Sequence, residues 1–207
     1  MSTFSNTNTG NKPADPYKVA NTDDNVSLDE KIQALNKFAD SCKFGMLTTR
    51  DSLGSGRLIS RCMAVAAKEK GGVDYLFFTN TESHKTDELK GDSHVNISFL
   101  DSSGQWASIS GTASIETDRA EVEKYYSPSL KAWLGDLGDG IHDGSQKDPR
   151  IGVIRVKMDT ATYSISNKTI IGWAAEVAKG TVTGDVASVN KIREIDAADV
   201  LSWRTSH

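Results

Sequence analysis

Three consecutive residues, Ser83, His84 and Lys85, bring a hydroxyl, an imidazole and an ammonium to one point of the chain. They follow Asp74-Tyr-Leu-Phe-Phe-Thr-Asn80, which reads as a buried strand, and they open Thr86-Asp-Glu-Leu-Lys90, which reads as a short helix. The first-turn N–H groups of a helix have no internal partners, and the helix dipole places partial positive charge there. A hydroxyl, an imidazole and a cation at that spot add donors and a full charge, so the chemistry suits a phosphate. Taken alone, the same residues also read as a capping Ser with two solvated neighbours, because Ser is a common N-cap.

A second cation stands upstream. Arg61 interrupts the apolar run Arg57-Leu-Ile-Ser-Arg-Cys-Met-Ala-Val-Ala66. On a strand, Arg61 shares a face with Met63 and Val65, while Ser60, Cys62 and Ala64 point the other way. An Arg among apolar neighbours calls for an anion, either a phosphate or a carboxylate of the chain itself.

The elements that must position these residues follow from periodicity. Ser27-Leu-Asp-Glu30 is a capping box, and Leu28, Ile32, Leu35, Phe38 and Ala39 recur at helical spacing up to about Cys42. Strands are expected at 43–50, 57–66, 73–79, 94–100, 105–116, 150–158 and 160–166, joined mostly by hairpin-length turns. Gly54-Ser-Gly56 is not a dinucleotide fingerprint, since a strand follows it. Helices are expected from Asp118 to Tyr126, cut by Pro128, and over 130–137, ahead of a Gly/Asp-rich loop to Pro149. That order favours an antiparallel barrel over a doubly wound sheet. Residues 1–26 are expected to be a disordered polar tail, 27–167 a barrel domain, and 168–207 a helical extension packed on it.

Composition narrows the function. The 207 residues carry 24 basic and 28 acidic side chains, a formal charge of −4, so no basic footprint points to nucleic acid. No apolar run approaches the ~20 residues of a membrane span, and no secretory signal is visible. Cys42 and Cys62 are too few for a disulfide framework, and the four His lack metal-ligand spacing, so no metal site is expected. The plain expectation is a reduced, cytoplasmic protein.

The order of these motifs resembles the FMN-binding split barrels of the pyridoxamine 5′-phosphate oxidase superfamily. The resemblance runs from Ser27 to Met158 and rests on Arg61 with its apolar strand, Phe78-Thr79-Asn80, Ser83-His84-Lys85, and Gln105-Trp106 leading to Gly111-x-Ala113. Ser60-Arg61-x-Met63 and Lys131-Ala-Trp133 look most like the general-stress branch, which includes fungal blue-light-inducible relatives. The resemblance implies a mainly β (α+β) antiparallel split β-barrel with flanking helices and FMN as cofactor. Arg61, Ser83, His84 and Lys85 would hold the FMN phosphate. Cys62, Met63, Ala64, Phe78 and Thr79 would line the ring and ribityl chain, and Trp106 would add a contact. It also implies a homodimer with the flavin at the interface, reached from the opposite subunit by Trp106, Trp133 or Trp173. Trp133 reads either as a cover for the ring or as a core residue.

The implied function is a flavin-dependent oxidoreductase acting on a small molecule in a stress response. The alternative is a flavin-buffering or flavin-sensing protein without turnover; related split barrels also accommodate deazaflavin or haem. The oxidase usually carries Arg at the position of His84 and Gln at that of Trp106. The oxidase's closing Arg-Leu-His-x-Arg is absent, the final residues being Leu-Ser-Trp-Arg-Thr-Ser-His207, so pyridoxamine phosphate oxidation itself is not expected.

Overall fold

The computed structural model describes residues 13, 15–51, 56–166 and 170–207, except for the side chains of 170–175. Residues 1–12 and 14 of the expected tail, the centre of the Gly54 turn and the Trp173 side chain lie outside the described residues. In chain order the elements are α1 (Pro16–Asn21), α2 (Leu28–Cys42), β1 (Phe44–Arg50), β2 (Leu58–Ala64), β3 (Ala67–Glu69), β4 (Asp74–Asn80), α3 (His84–Gly91), β5 (His94–Leu100) and β6 (Trp106–Glu116). Then come α4 (Arg119–Tyr125), α5 (Lys131–Leu134), β7 (Ile151–Ser166), α6 (Ile170–Thr183), β8 (Asn190–Ile195) and α7 (Ala197–Ser206). The capping box on α2 forms as its sequence predicts: the Ser27 hydroxyl accepts from Glu30 N, and the Glu30 carboxylate accepts from Ser27 N.

All strand pairs are antiparallel, in the order β2-β1-β5-β6-β7-β4-β3 with β8 also on β7. The two ends of that order, β2 and β3, are consecutive in the chain. The expected strand 57–66 therefore changes edges: Val65 N donates to Lys43 O beside β1, and Ala66 N donates to Leu76 O in β4. That crossing curls the sheet into a split barrel with helices around it. The inside is apolar, with Leu47, Phe77, Phe99, Ile97, Ile109, Ile154 and Tyr163 buried together under α2. A smaller cluster, Leu76, Val122, Ile151 and Val153, lies beneath α4.

Three expectations are corrected. The two last strands are one, β7, with its register shifting opposite Ser110 and Gly111 so that Asp159 bulges out. Gly111 faces the bulge so closely that a Cβ would sit 2.1 Å from Lys157 O, which is why a glycine stands there.

The C-terminal segment is not purely helical, because 190–195 adds β8 to β7. Its register places Ile192 against Ser164 and Ile195 against Ala161. Two residues of α7, Val200 and Trp203, are buried in the main core.

The N-terminal stretch read as an unpacked tail contains α1, begun by Asp15 as N-cap with Pro16 in the first turn. It packs because it covers the free edge of β8. Asn21 is buried, and its amide donates to Tyr17 O and Ala187 O while its oxygen accepts from Val189 N and Asn190 N. Asp23 N donates to Ile192 O, and its carboxylate pairs with Arg193 at 2.8 Å. Composition missed this, since one amide rather than an apolar face carries the contact. Asn21→Ala strands buried backbone groups of β8, so stability is expected to fall by about 2 kcal/mol. Denaturant titration checks it; a change below about 0.5 kcal/mol would contradict the edge-covering role.

Candidate functional site

The backbone of β4 runs into α3 through Asn80. Its side-chain oxygen accepts from Glu82 N, and its carbonyl accepts from the Ser83 hydroxyl at 2.6 Å and the Thr86 hydroxyl at 3.3 Å. Ser83 occupies the N-cap position, but its side chain does not bond the helix N–H groups. The hydroxyl is turned back to Asn80 and accepts from Lys85 Nζ at 2.9 Å. The alternative reading of Ser83 as a helix cap is not realised: its hydroxyl holds the lysine instead of the turn.

Arg61 lies on the inward side of β2, opposite Leu47 of β1. Its Nη1 donates to the Thr49 hydroxyl at 2.9 Å and its Nη2 to Glu88 Oε1 at 2.7 Å. The Thr49 hydroxyl donates to Glu88 Oε2 at 2.6 Å, which closes a ring of three side chains from β1, β2 and α3. Of the two anions an inward Arg can seek, the carboxylate is realised within the chain. Glu88 and Thr49 are buried, while the Arg61 side chain keeps 27% of its surface open. Burial pushes the Glu88 carboxyl up, but the Arg61 and Thr49 hydrogen bonds outweigh it and hold it below the usual range.

Lys85 completes the group. Burial and the neighbouring Arg61 guanidinium push its ammonium below the ordinary lysine value, with Glu88 acting in the opposite direction. Arg61 is thus paired with Glu88 of α3, while among the described residues Lys85 at the entry of the same helix bonds only the neutral Ser83 hydroxyl. The repulsion between the two cations is relieved by an anion, so the arrangement fits a phosphate on the chemistry of its donors. Sequence reasoning missed Glu88 and Thr49. The available signal was Arg61 itself, since an Arg turned inward on a strand demands a buried acceptor.

The other expected residues divide between two faces. Met63 packs on the main core and Phe78 on the smaller one, so neither side chain joins the cationic group. Thr79 is buried and donates to Asn80 O. His84 is exposed in the first turn of α3. Cys62 and Ala64 point outward from β2, as period-two alternation predicts. Cys62, Met46, Ser98 and Ser108 stand in one cross-strand row, and Ala64 stands opposite Phe44. Trp106 is two residues along from Ser108 and opposite Leu100. Phe44, Met46, Leu100 and Trp106 are all exposed, so this outer face is apolar at one end, while the exposed Leu58 stands at the other end, opposite Arg50. Elsewhere it carries bonded small polar groups, Thr48 with Ser60 and Asn96 with Ser108, each at 2.8 Å. Trp133 is 86% exposed, which removes the core reading for it.

The loop after Trp133 is pinned from below. Asp148 is fully buried and accepts from Gly144 N and Arg150 N, and from the Arg150 guanidinium at 2.7 Å. Arg150 in turn donates to Leu134 O and Gly135 O. On the far side of β7, Arg155 pairs with Glu116, Glu121 and Glu69, while Glu69 also takes Lys124 and the Tyr125 hydroxyl from α4. The Lys124 hydrogen bond, followed by that of Tyr125, brings the Glu69 carboxyl down to about 2; the Arg150 hydrogen bond does the same for Asp148.

A depressed carboxyl contributes stability above its unfolded value and loses it as pH falls through its folded value. The fold should hold down to about pH 4.5 and lose stability progressively toward about pH 2. Thermal midpoints across that range check this. Glu69→Gln should flatten the decline, and an unchanged slope would contradict the assignment.

Comparison with known proteins places the chain among relatives. The family model described as pyridoxamine 5′-phosphate oxidase like matches residues 30–188. Protein bli-3 of Neurospora crassa is 64% identical over 205 residues, covering 99% of this chain and 98% of that protein. General stress protein 26 of Bacillus anthracis superposes with a TM-score of 0.53 at 24% identity, over 67% of this chain and 94% of its own. The general stress FMN/FAD binding protein of Xanthomonas citri gives 0.54 at 24% identity, over 68% and 92%. These two structures share the split-barrel fold. No helix among the described residues is long and apolar enough to cross a membrane.

Proposed function

This chain belongs to the pyridoxamine 5′-phosphate oxidase-like family, and from that premise we propose that it binds FMN and uses it to oxidise or reduce a small molecule in a stress response. The observation that carries the reading is that α3 holds both cations: Lys85 bonds Ser83 at its entry, and Glu88 of the same helix bonds Arg61. Arg61 and Lys85 would hold the phosphate, with Ser83 keeping the lysine turned toward it. Bound FMN supplies hydride transfer; the protein supplies position, charge and exclusion of water. Cys62, Ala64 and Trp106 lie on the outer face, whose exposure leaves room for a planar ring and a second subunit. The exposed apolar group of Phe44, Met46, Leu100 and Trp106 supports a homodimer closing on that face, since a monomer seldom leaves such a patch uncovered. Structural neighbours that are general stress proteins support the stress context.

A second reading is flavin storage or sensing without turnover. It is favoured by the hydroxyls and amide bonded to one another along the outer face, Thr48 with Ser60 and Asn96 with Ser108, where an acid–base pair would be wanted for proton transfer.

The test is an absorbance spectrum of the purified protein, chromatography of the released ligand against FMN, FAD and riboflavin, and a panel of reductants. Yellow protein releasing FMN supports the cofactor, and flavin reduction faster than that of free FMN supports the oxidoreductase. Colourless protein that also fails to bind added FMN contradicts both readings.

A further inference from the structure

An arginine presents five N–H donors, and Thr49 and Glu88 engage two on Arg61. Those partners come from inside the barrel, and the rest of the guanidinium keeps its open surface. Glu88 is 5% exposed and is tied to Thr49 as well as to Arg61, so an incoming anion joins it in the pocket instead of displacing it. Arg61, Lys85 and Glu88 together carry one net positive charge.

We propose that Glu88 is an internal counter-anion that aims the Arg61 fork and sets how tightly this pocket holds a phosphate monoester. The inference rests on the FMN reading above. Without a carboxylate beside it, Arg61 would swing freely and would repel Lys85. With it, the fork is fixed in the plane of Glu88 and Thr49, and the bound phosphate meets a negative neighbour. Glu88 therefore exchanges affinity for order. Removing its charge while keeping its shape leaves two cations facing a dianion, which should tighten binding by about tenfold at surface-like dielectric. A ligand lacking the phosphate does not sense the change. Glu88 is thus a positioning and specificity residue, not a catalytic one.

The experiment compares wild type, Glu88→Gln and Thr49→Val for FMN, riboflavin and inorganic phosphate, using calorimetric titration and thermal shift. Glu88→Gln should bind FMN about tenfold more tightly with riboflavin unchanged, and inorganic phosphate should stabilise it more than wild type. Thr49→Val keeps the charge and should show no gain. If Glu88→Gln does not fold, Glu88→Asp, whose carboxylate is drawn back by one methylene, should shift FMN affinity in the same direction by a smaller factor. Equal or weaker FMN binding by Glu88→Gln, or an equal gain in Thr49→Val, overturns the proposal. If wild type binds neither flavin, the cofactor reading fails by itself. Inorganic phosphate then decides the role of Glu88: greater stabilisation of Glu88→Gln upholds it, and equal stabilisation overturns it.

Discussion

Arg61→Met is expected to weaken FMN binding by about a hundredfold while leaving riboflavin binding unchanged, because charge-assisted contacts to a phosphate contribute about 1.5–3 kcal/mol each. The same substitution should cost about 2–4 kcal/mol of stability, since it leaves the buried Glu88 carboxylate without its cation. The two effects separate in the double variant. Arg61→Met with Glu88→Met removes both charges and should recover most of the lost stability, because a buried ion pair can often be replaced by apolar groups at little cost. FMN affinity should stay at least about tenfold below wild type, since the donors are gone. Chemical denaturation and flavin titration on the three proteins read both quantities. Recovery of affinity together with stability would mean that Arg61 serves only the fold.

Asp148→Ala is the second large effect. Asp148 is 0% exposed and holds Gly144 N, Arg150 N and the Arg150 guanidinium, while Arg150 reaches the carbonyls of Leu134 and Gly135. Without the carboxylate, an Arg that is itself mostly buried loses its counter-charge, for a cost of about 3–5 kcal/mol. The loss should appear first between Leu134 and Asp148, as faster amide exchange and cleavage by protease below the global unfolding temperature. Arg119 donates separately to the backbone oxygens of residues 148 and 151, so β7 should stay protected. Uniform exchange across the loop and β7 would contradict a local clamp.

The barrel was largely legible because its strands alternate cleanly and are divided by hairpin turns. β1 buries every second residue, and β5 and most of β6 do the same. The capping box of α2 was equally plain, since both bonds are made within four residues. What escaped the sequence depends on partners distant in the chain. β8 carries Lys191, Arg193 and Glu194 and becomes a strand only because β7 extends past β4 and needs a neighbour. α1 is polar, and its order comes from Asn21 meeting a strand about 170 residues away.

The candidate site divided in the same way. Arg61, Ser83 and Lys85 could be named from their types and spacing, but Glu88 and Thr49 could not. A glutamate in a short helix and a threonine in a strand are ordinary residues until packing closes them around a guanidinium. The alternative reading of Ser83 as a cap is not realised for a related reason: its hydroxyl donates to Asn80 O and accepts from Lys85.

Arg61 and Lys85 are proposed to recognise a flavin through its phosphate. The most direct test is titration of FMN and of riboflavin into flavin-free protein under the same salt conditions. The two ligands share the ring and ribityl chain and differ only in the phosphate. FMN should bind about a thousandfold more tightly, with a preference that shrinks as salt is raised. Equal affinities for FMN and riboflavin would contradict the account, because the two cations would then face no phosphate.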